Sequence, residues 1–444
     1  MSTAIPTAGQ HFSSGSVLSR AAVGEPQLAG FDLDEYLGEY QGYAKIRRAI
    51  FVGEHCPALS VAAYTAALAE VEARTADSGL HMHLRKILGQ IGEAVDDAGG
   101  EQWEQEANRD SRAEEADVKG ALQRAAKHVS KQESLRAQRR YVELLQRRGL
   151  VEESIRALQD ARGFCTDVAE QAELHMDAAR AALVLGRWMQ VTTFVQRAEG
   201  AVAEPDPALA AELQLLRGLA AFGERRWAAA VAELAGLSAE RLEAAGVFGR
   251  GVVSPRDVAL YGTLAGLAGL GRDQTKAQLI DNVLFGQFLD HMPQCQQLLQ
   301  SFYGARYGEA LGRLRMVLSF CDIDPVLSRL SSALEQLIVD NAVVLYVRPF
   351  ESVRIESMAR ALRFDSSSVL ESTLVRMIDG GQIQARIDGT TGFLAKHRAD
   401  PRGSALEQAD KIHAAYMQQA DLMQARIQYL EEEASSTGRA FAKK

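Results

Sequence analysis

Apolar positions recur three and four residues apart along most of the chain, and a longer recurrence lies on top of that spacing. In "LGRWMQVTTFVQRAE" (185–199) Trp188 follows a Gly-Arg pair and leads into Val191, Phe194 and Val195. "ERRWAAAVAEL" repeats the setting thirty-nine residues later, with Trp227 ahead of Val231 and Leu234 on one helical face. "LLQRRGLVEESIRALQDA" puts Leu150 at the corresponding point thirty-eight residues before Trp188, and "FYGARYGEALGRL" puts Tyr307 about two periods after Trp227. A period near forty with helical spacing inside it predicts helix pairs, each able to bury its apolar side only by stacking on the next. The aromatic or leucine then opens the second helix of each pair as a packing knob, so Trp188 and Trp227 are expected to be buried. A weaker unit, "LAGLAGLGRDQTKAQLIDNVLF" (264–285), lacks the aromatic.

The rest of the pattern divides the chain. Residues 1–28 read as a disordered leader and 29–98 as N-terminal helices opening with "FDLDEYLGEYQGY". Residues 99–134, dense in charge of both signs and poor in large apolar groups, read as a linker or solvated helix. The helical-repeat solenoid follows over 135–250. "GVVSPRD" then restarts the pattern: Ser254 is set to cap a helix, Pro255 to occupy its first position and Asp257 to close the box, opening a helical region over 251–345. Over 346–398 the reading is a winged helix. "VRIESMARAL" gives a short helix, "RFDSS" a turn, and Ser368 with Glu371 a capping box for a helix carrying Val369, Leu370, Leu374 and Ile378. Ile383, Ala385 and Ile387 alternate in a first strand, Gly-Thr-Thr-Gly turns, and Phe393 and Leu394 lie in a second. After Pro401, the positions Leu406, Ala409, His413, Tyr416, Ala420, Met423, Ile427 and Leu430 step by three and four. This keeps one seam on a helix over 404–433, roughly 45 Å long. Its alanines and His413 suit a mixed bundle better than a tight two-stranded zipper. A disordered tail is expected over 434–444, because Glu431 to Glu433 oppose the helix dipole. The fold class is mostly α: a TPR-like α-solenoid, a winged-helix module and a long C-terminal helix.

Composition supports this and removes several functions. Ala, Leu, Glu, Gln and Arg dominate the 444 residues, and Pro is scarce at 10. No apolar run approaches the roughly 20 residues that span a bilayer, and the start "MSTAIPTAGQHFSSGS" lacks a signal-peptide core. The expectation is an intracellular chain, in cytoplasm and nucleus, with no membrane partner. Cys56, Cys165, Cys295 and Cys321 have no paired spacing, which predicts reduced, buried thiols. The net charge of −9 argues against wholesale nucleic-acid binding. So does the recognition helix of the winged module, where 365–379 sets one arginine, Arg376, against Asp365, Glu371 and Asp379. The cluster Arg136, Arg139, Arg140, Arg147 and Arg148 reads either as a solvated face paired with Glu143, Glu152 and Glu153 or as a dock for an acidic partner or ligand. No phosphate-cradling loop or nucleophile elbow occurs, and no cofactor is called for.

A helical solenoid running into a winged helix is the layout of PCI-domain proteins, scaffolds shared by the proteasome lid, the COP9 signalosome and a translation initiation factor. "FDLDEYLGEYQGYAKIRRAIFVGEHCPAL" (31–59), "ARGFCTDVAEQAELHMDAARAALVLGRWMQVTTFVQRAE" (161–199), "SPRDVALYGTLAGLA" (254–268), "NVLFGQFLDHMPQCQQLLQSFYGARYGEAL" (282–311) and the winged helix resemble the signalosome branch of that family. Tyr36, Tyr43, His55, Cys56 and Pro57 favour that branch over the lid paralogue. The resemblance implies a PCI domain over 251–400 and a non-catalytic scaffold within the complex that removes Nedd8 from the cullins of cullin-RING ubiquitin ligases. Its partners would be other PCI-domain subunits and, through them, the metalloprotease deneddylase subunit and the ligases. "HMH" (81–83) is similar to the His-x-His of that zinc enzyme, but the serine and aspartate that should follow are Ile91 and Ala94 here. Residues two apart on a helix also face different ways, so His81 and His83 read as solvated or capping and no metal is expected. In the family the C-terminal helices gather in one bundle and the winged helices line up edge to edge. That implies partner-binding roles for Leu406, His413, Tyr416, Met423, Ile427, Leu430, Gln382, Gln384 and Arg386. The alternatives are the corresponding proteasome-lid subunit and a winged-helix nucleic-acid or translation-initiation factor.

Overall fold

The computed structural model describes residues 32–92, 97–128, 130–202, 204–396 and 401–441; the leader over 1–28 lies outside them. Four helix pairs carry the repeat: Lys131–Arg147 with Val151–Ala161, Val168–Val184 with Trp188–Ala201, Pro207–Gly223 with Trp227–Ala235, and Pro293–Tyr303 with Tyr307–Cys321. In each, three residues connect the helices and the middle one is left-handed: Gly149, Gly186, Arg225 and Ala305, with φ of 75°, 70°, 62° and 57°. The third residue's N–H then reaches back five residues, from Leu150, Arg187, Arg226 and Arg306 to the carbonyls of Leu145, Ala182, Ala221 and Ser301, at 2.9–3.0 Å. This is the Schellman closure, which satisfies carbonyls that a helix end leaves open. It also corrects the sequence register by one: the residue equivalent to Trp188 is Val151, and Leu150 occupies the cap before it.

The knobs pack, but not as deeply as the sequence pattern suggests. Trp188 and Trp227 are half-buried. The interior is filled by residues further along, Val191, Phe194 and Val195 in one pair and Ala230, Val231 and Leu234 in the next. Each tryptophan leans on the glycine that ends the first helix of the next layer, Trp188 on Gly223 and Trp227 on Gly269. A Cβ at Gly269 would lie 2.5 Å from that of Trp227. Tyr307 is buried, its ring edge-on to Phe302 at 5.5 Å. The weak unit lacks the left-handed turn and breaks into Arg272–Thr275, a five-residue π turn Lys276–Ile280 and Val283–Leu289.

The charge-dense stretch is one helix, Asp97–His128, rather than a linker. Its order comes from packing on Lys131–Arg147, where Glu114 and Glu115 meet Arg147 and Arg148 at 2.5 and 2.7 Å. Further along, charges are matched from one repeat to the next: Arg139 with Glu173, Arg187 with Glu152, and Arg180 and Arg250 on Glu212.

One continuous apolar core runs from Ala211 to Leu394, through the restart at Ser254 and into the winged helix. The Ser254–Asp257 capping box with Pro255 at the first position is present as the sequence indicated. The winged helix departs from the reading in two places. It has three strands, β1 (Ser352–Arg354), β2 (Ala385–Asp388) and β3 (Phe393–Lys396), in the order β1-β3-β2, so the stretch read as the start of a helix contributes β1 before the helix Ile355–Leu362. The cap of Ser367–Asp379 is Ser366, whose Oγ accepts from Val369 N at 3.4 Å; Ser368 and Glu371 lie inside the helix. The C-terminal helix, Pro401–Phe441, continues past 433, where the sequence reading placed a disordered tail. No proline interrupts it, and in a helix that runs on to Phe441 the glutamates Glu431 to Glu433 lie ahead of the last turn, where the dipole opposes them less.

The tryptophan packing gives a double-variant test. Gly223→Ala drives a Cβ into the Trp188 ring and should cost about 1–3 kcal/mol. In a Trp188→Ala background the same change should be near neutral. Denaturant midpoints of the two single variants and the double measure the coupling; additive effects would show that Trp188 does not seat on Gly223.

Candidate assembly surfaces

Between residues 402 and 430 the described side chains of the C-terminal helix are exposed, apart from partly covered Gly403 and Ala420. Along the proposed seam, Leu406, Tyr416, Met423, Ile427 and Leu430 are 65, 68, 68, 56 and 53% exposed, and His413 is exposed with them. The structure thus brings these six together on one unburied face. It also shows apolar groups that the seam omitted: Ile412 and Met417 widen the face, and Leu422 and Tyr429, seven residues apart, form a second stripe beyond it. Charge is sparse, with Glu407, Asp410, Lys411, Asp421 and Arg426 between 406 and 430.

The second surface is the edge of the winged helix. Among the described residues β2 pairs with β3 alone, so its outer edge offers backbone groups without a strand partner there. Gln382, Gln384 and Arg386 are exposed there, alternating with buried Ile383 and Ala385. An open edge of this kind can be extended by a strand from another chain. The recognition helix of the module is different. Arg376 is tied to Asp340 of the helix Ser331–Val347 at 2.5 Å, which leaves Glu371 and Asp379 exposed and gives that face an acidic character.

The remaining sequence candidates find structural roles. His81, expected to be solvated or capping, is fully buried: its ring stacks on Trp103 at 4.4 Å, with Nδ1 2.9 Å from Glu104 and Nε2 3.0 Å from Glu72. It joins the helix Ser78–Ile91 to its two neighbours, while His83 faces outward. The apolar faces of these helices leave an imidazole between two carboxylates nowhere else to go. Of the arginine cluster, Arg139, Arg147 and Arg148 pair with Glu173, Glu114 and Glu115 of neighbouring helices, not with Glu143, Glu152 and Glu153; Arg136 and Arg140 are exposed. The four cysteines are buried. No group of metal-ligating side chains occurs among the described residues.

A buried polar cluster escaped the sequence reading. Arg48, on the helix Gly42–His55, donates to Asp324 at 2.6 Å, to Asp257 at 3.0 Å and to the Tyr36 hydroxyl at 2.9 Å, and is 6% exposed. Tyr40 donates to Asp257 at 2.8 Å and Tyr261 to Asp324 at 2.9 Å. Burial pushes all three phenols up, so they remain donors. Burial also pushes Asp257 up, to about 6, whereas Arg48 and the N–H groups of Leu327 and Val326 hold Asp324 below the usual carboxylate range. One signal could have found this cluster. The helix Pro255–Gly269 is buried all round from Asp257 to Ala268, so its few polar groups had to have partners.

The comparisons with known proteins accord with this anatomy. Residues 100–278 match the family model described as "26S proteasome subunit RPN7", and residues 320–398 match the PCI domain. The chain is similar to COP9 signalosome complex subunit 1 of Arabidopsis thaliana, 27% identical over 390 residues, which covers 86% of this chain and 85% of that protein. It is similar to subunit 1b of Drosophila melanogaster, 25% identical over 433 residues, covering 85% and 81%. The 26S proteasome non-ATPase regulatory subunit 6 of Dictyostelium discoideum is 25% identical over 170 residues, 38% of this chain and 42% of that protein.

Because Met423 and Ile427 are exposed in the isolated chain, replacing both by Asp should leave its unfolding free energy within about 0.5 kcal/mol of the parent. A large drop in a thermal or denaturant melt would show that the helix packs internally.

Proposed function

We propose that this chain, which matches the PCI domain over 320–398 and is similar along most of its length to COP9 signalosome subunit 1, is a non-catalytic scaffold subunit of a signalosome, the complex that removes Nedd8 from the cullins of cullin-RING ligases. The observation that carries this is coverage: the signalosome relatives of Arabidopsis thaliana and Drosophila melanogaster match 86% and 85% of the chain, whereas the proteasome relative of Dictyostelium discoideum matches 38%. The exposed C-terminal helix and the open β2 edge supply what a scaffold needs, two surfaces whose free energy is realised only on assembly. The proposed partners are other PCI-domain subunits. The deneddylase and the ligases are reached through them, in cytoplasm and nucleus. Catalysis is assigned to another subunit, since nothing in the sequence brings together a zinc set with a general base.

Affinity purification of the tagged chain under native conditions, followed by mass spectrometry, tests this. Recovery of signalosome subunits and cullins is expected; recovery of proteasome core instead would select the lid reading. The purified chain alone should neither hold stoichiometric zinc nor cleave a Nedd8-cullin conjugate. The Met423→Asp/Ile427→Asp variant should be stable yet absent from the complex on a sizing column, because two carboxylates in an apolar seam cost several kcal/mol beyond the lost burial. Normal co-elution would remove the helix from the assembly surface.

A further inference from the structure

The polar cluster around Arg48 joins parts of the chain that are far apart in sequence. Arg48 and Asp257 are 209 residues apart, and Arg48 and Asp324 are 276 apart. Two of the attachments between the N-terminal helices and the body lie at opposite ends. One follows the chain, from Ser78–Ile91 to the helix Asp97–His128 through His81 and Glu104. The other crosses to the far end of the solenoid, where Gln41 N donates to Gly251 O at 3.0 Å, Arg256 meets Glu35 at 3.0 Å, and Arg48 enters its pair of carboxylates. Between the two, Tyr43 and Ala76 bond to the carbonyl of Arg147, and Arg47 to that of Val184. The first helices therefore close the chain into a ring, with the Arg48 cluster at the closure.

The two sides of the closure are built separately. The receiving side is set by its own helix caps. Asp257 accepts from Ser254 N at 3.2 Å, and Asp324 from Val326 N and Leu327 N at 2.7 and 3.1 Å, with Tyr261 at its second oxygen. Arg48, Tyr36 and Tyr40 are brought by the arriving side. The apolar core of the arriving helices runs from Leu33 to Leu88 and takes a single buried residue from beyond them, Ile323. The body core from Ala211 to Leu394 includes none of their residues. Apolar burial thus holds each side together, and polar contacts, with Ile323 as the one buried apolar residue that crosses, hold the sides to each other.

We propose that Arg48, Asp257 and Asp324 form a latch at which the ring opens and closes, with the N-terminal helices and the body each staying folded in the open form. One cation serves two carboxylates, so removing it leaves both uncompensated in a site that excludes water, and opening is the route by which they regain solvent. This device is independent of the assembly reading: it concerns the isolated chain and uses neither the C-terminal helix nor the β2 edge.

Hydrogen exchange on the full chain, read by mass spectrometry, tests it. Arg48→Met should raise exchange about a hundredfold or more in 36–48, 251–257 and 323–327, while the helices Ser60–Arg74 and Ser331–Val347 keep their protection. Tyr40→Phe, which removes one donor from Asp257, should give a rise of about tenfold in the same segments. Adding Asp257→Asn and Asp324→Asn to Arg48→Met should restore protection, since no unpaired charge remains. Three results overturn the proposal: unchanged exchange in the three segments, a uniform rise or unfolding in both Arg48→Met and Tyr40→Phe, or no restoration in the triple variant.

Discussion

No helix pair in this chain can bury its apolar side alone, and the rest of the structure follows from that constraint. Each pair is held at a fixed angle by the same three-residue turn, with Gly149, Gly186, Arg225 or Ala305 left-handed at its centre. The turn costs little where glycine stands and roughly 1–2 kcal/mol where arginine or alanine does. The chain retains it at Arg225 and Ala305 because a different turn would swing the second helix off the next layer. A stack built this way must end, since its last apolar side would otherwise face water. At the beginning the charged helix Asp97–His128 covers Lys131–Arg147 and exposes its own acidic side. At the other end the winged helix merges into the body core, with Met358, Leu362, Leu370 and Leu374 buried alongside Leu314 and Ile338.

Charge follows the same repeat. The pairs Arg139 with Glu173, Arg187 with Glu152 and Arg180 with Glu212 each span about one period, so a basic cluster in the sequence becomes a set of matched contacts between layers. Most are partly exposed, and each contributes about 0–1 kcal/mol. Their effect is on register more than on stability: a layer slipped by one turn would leave several charges unmatched. Glu212 is the exception, buried at 6% exposure and held below the usual carboxylate range against its burial by Arg180 and Arg250, so it depends on both partners.

The solenoid was legible because apolar spacing and period report what stacking requires. The Ser254 cap was legible because Pro255 and Asp257 leave few other conformations. What escaped was set by contacts across long separations. Leu150 was misplaced by one residue because leucine and valine both suit a knob, and only the left-handed Gly149 fixes which is first in the helix. β1 was hidden because three residues carry no periodicity, and its strand conformation comes from pairing with β3, forty residues later. The Arg48 cluster joins three segments that no local pattern relates. The seam residues share one exposed face, as their spacing requires, but Leu422 and Tyr429 were passed over because a template of threes and fours discards positions that do not fit it.

The C-terminal helix stands outside the constraint that shapes the rest, and this bears on why the chain should act in an assembly. Nucleation makes an isolated helix marginal in water unless propensity or charge pairing supports it. Here alanine and glutamine supply propensity, while five large apolar seam residues stay more than half exposed. Burying a side chain of that size contributes about 1.5–3 kcal/mol, so the seam holds on the order of 10 kcal/mol that the isolated chain does not realise. That is comparable with the whole stability of a typical domain. The association costs that set aside much of such a sum fall on a helix whose backbone is already ordered, which reduces what must be lost on binding. Under the proposed function, folding and assembly fall to different residues: the stacked pairs and the winged helix bury the apolar core, and the last helix, which buries almost none of its seam, leaves that apolar surface uncovered for the proposed partners.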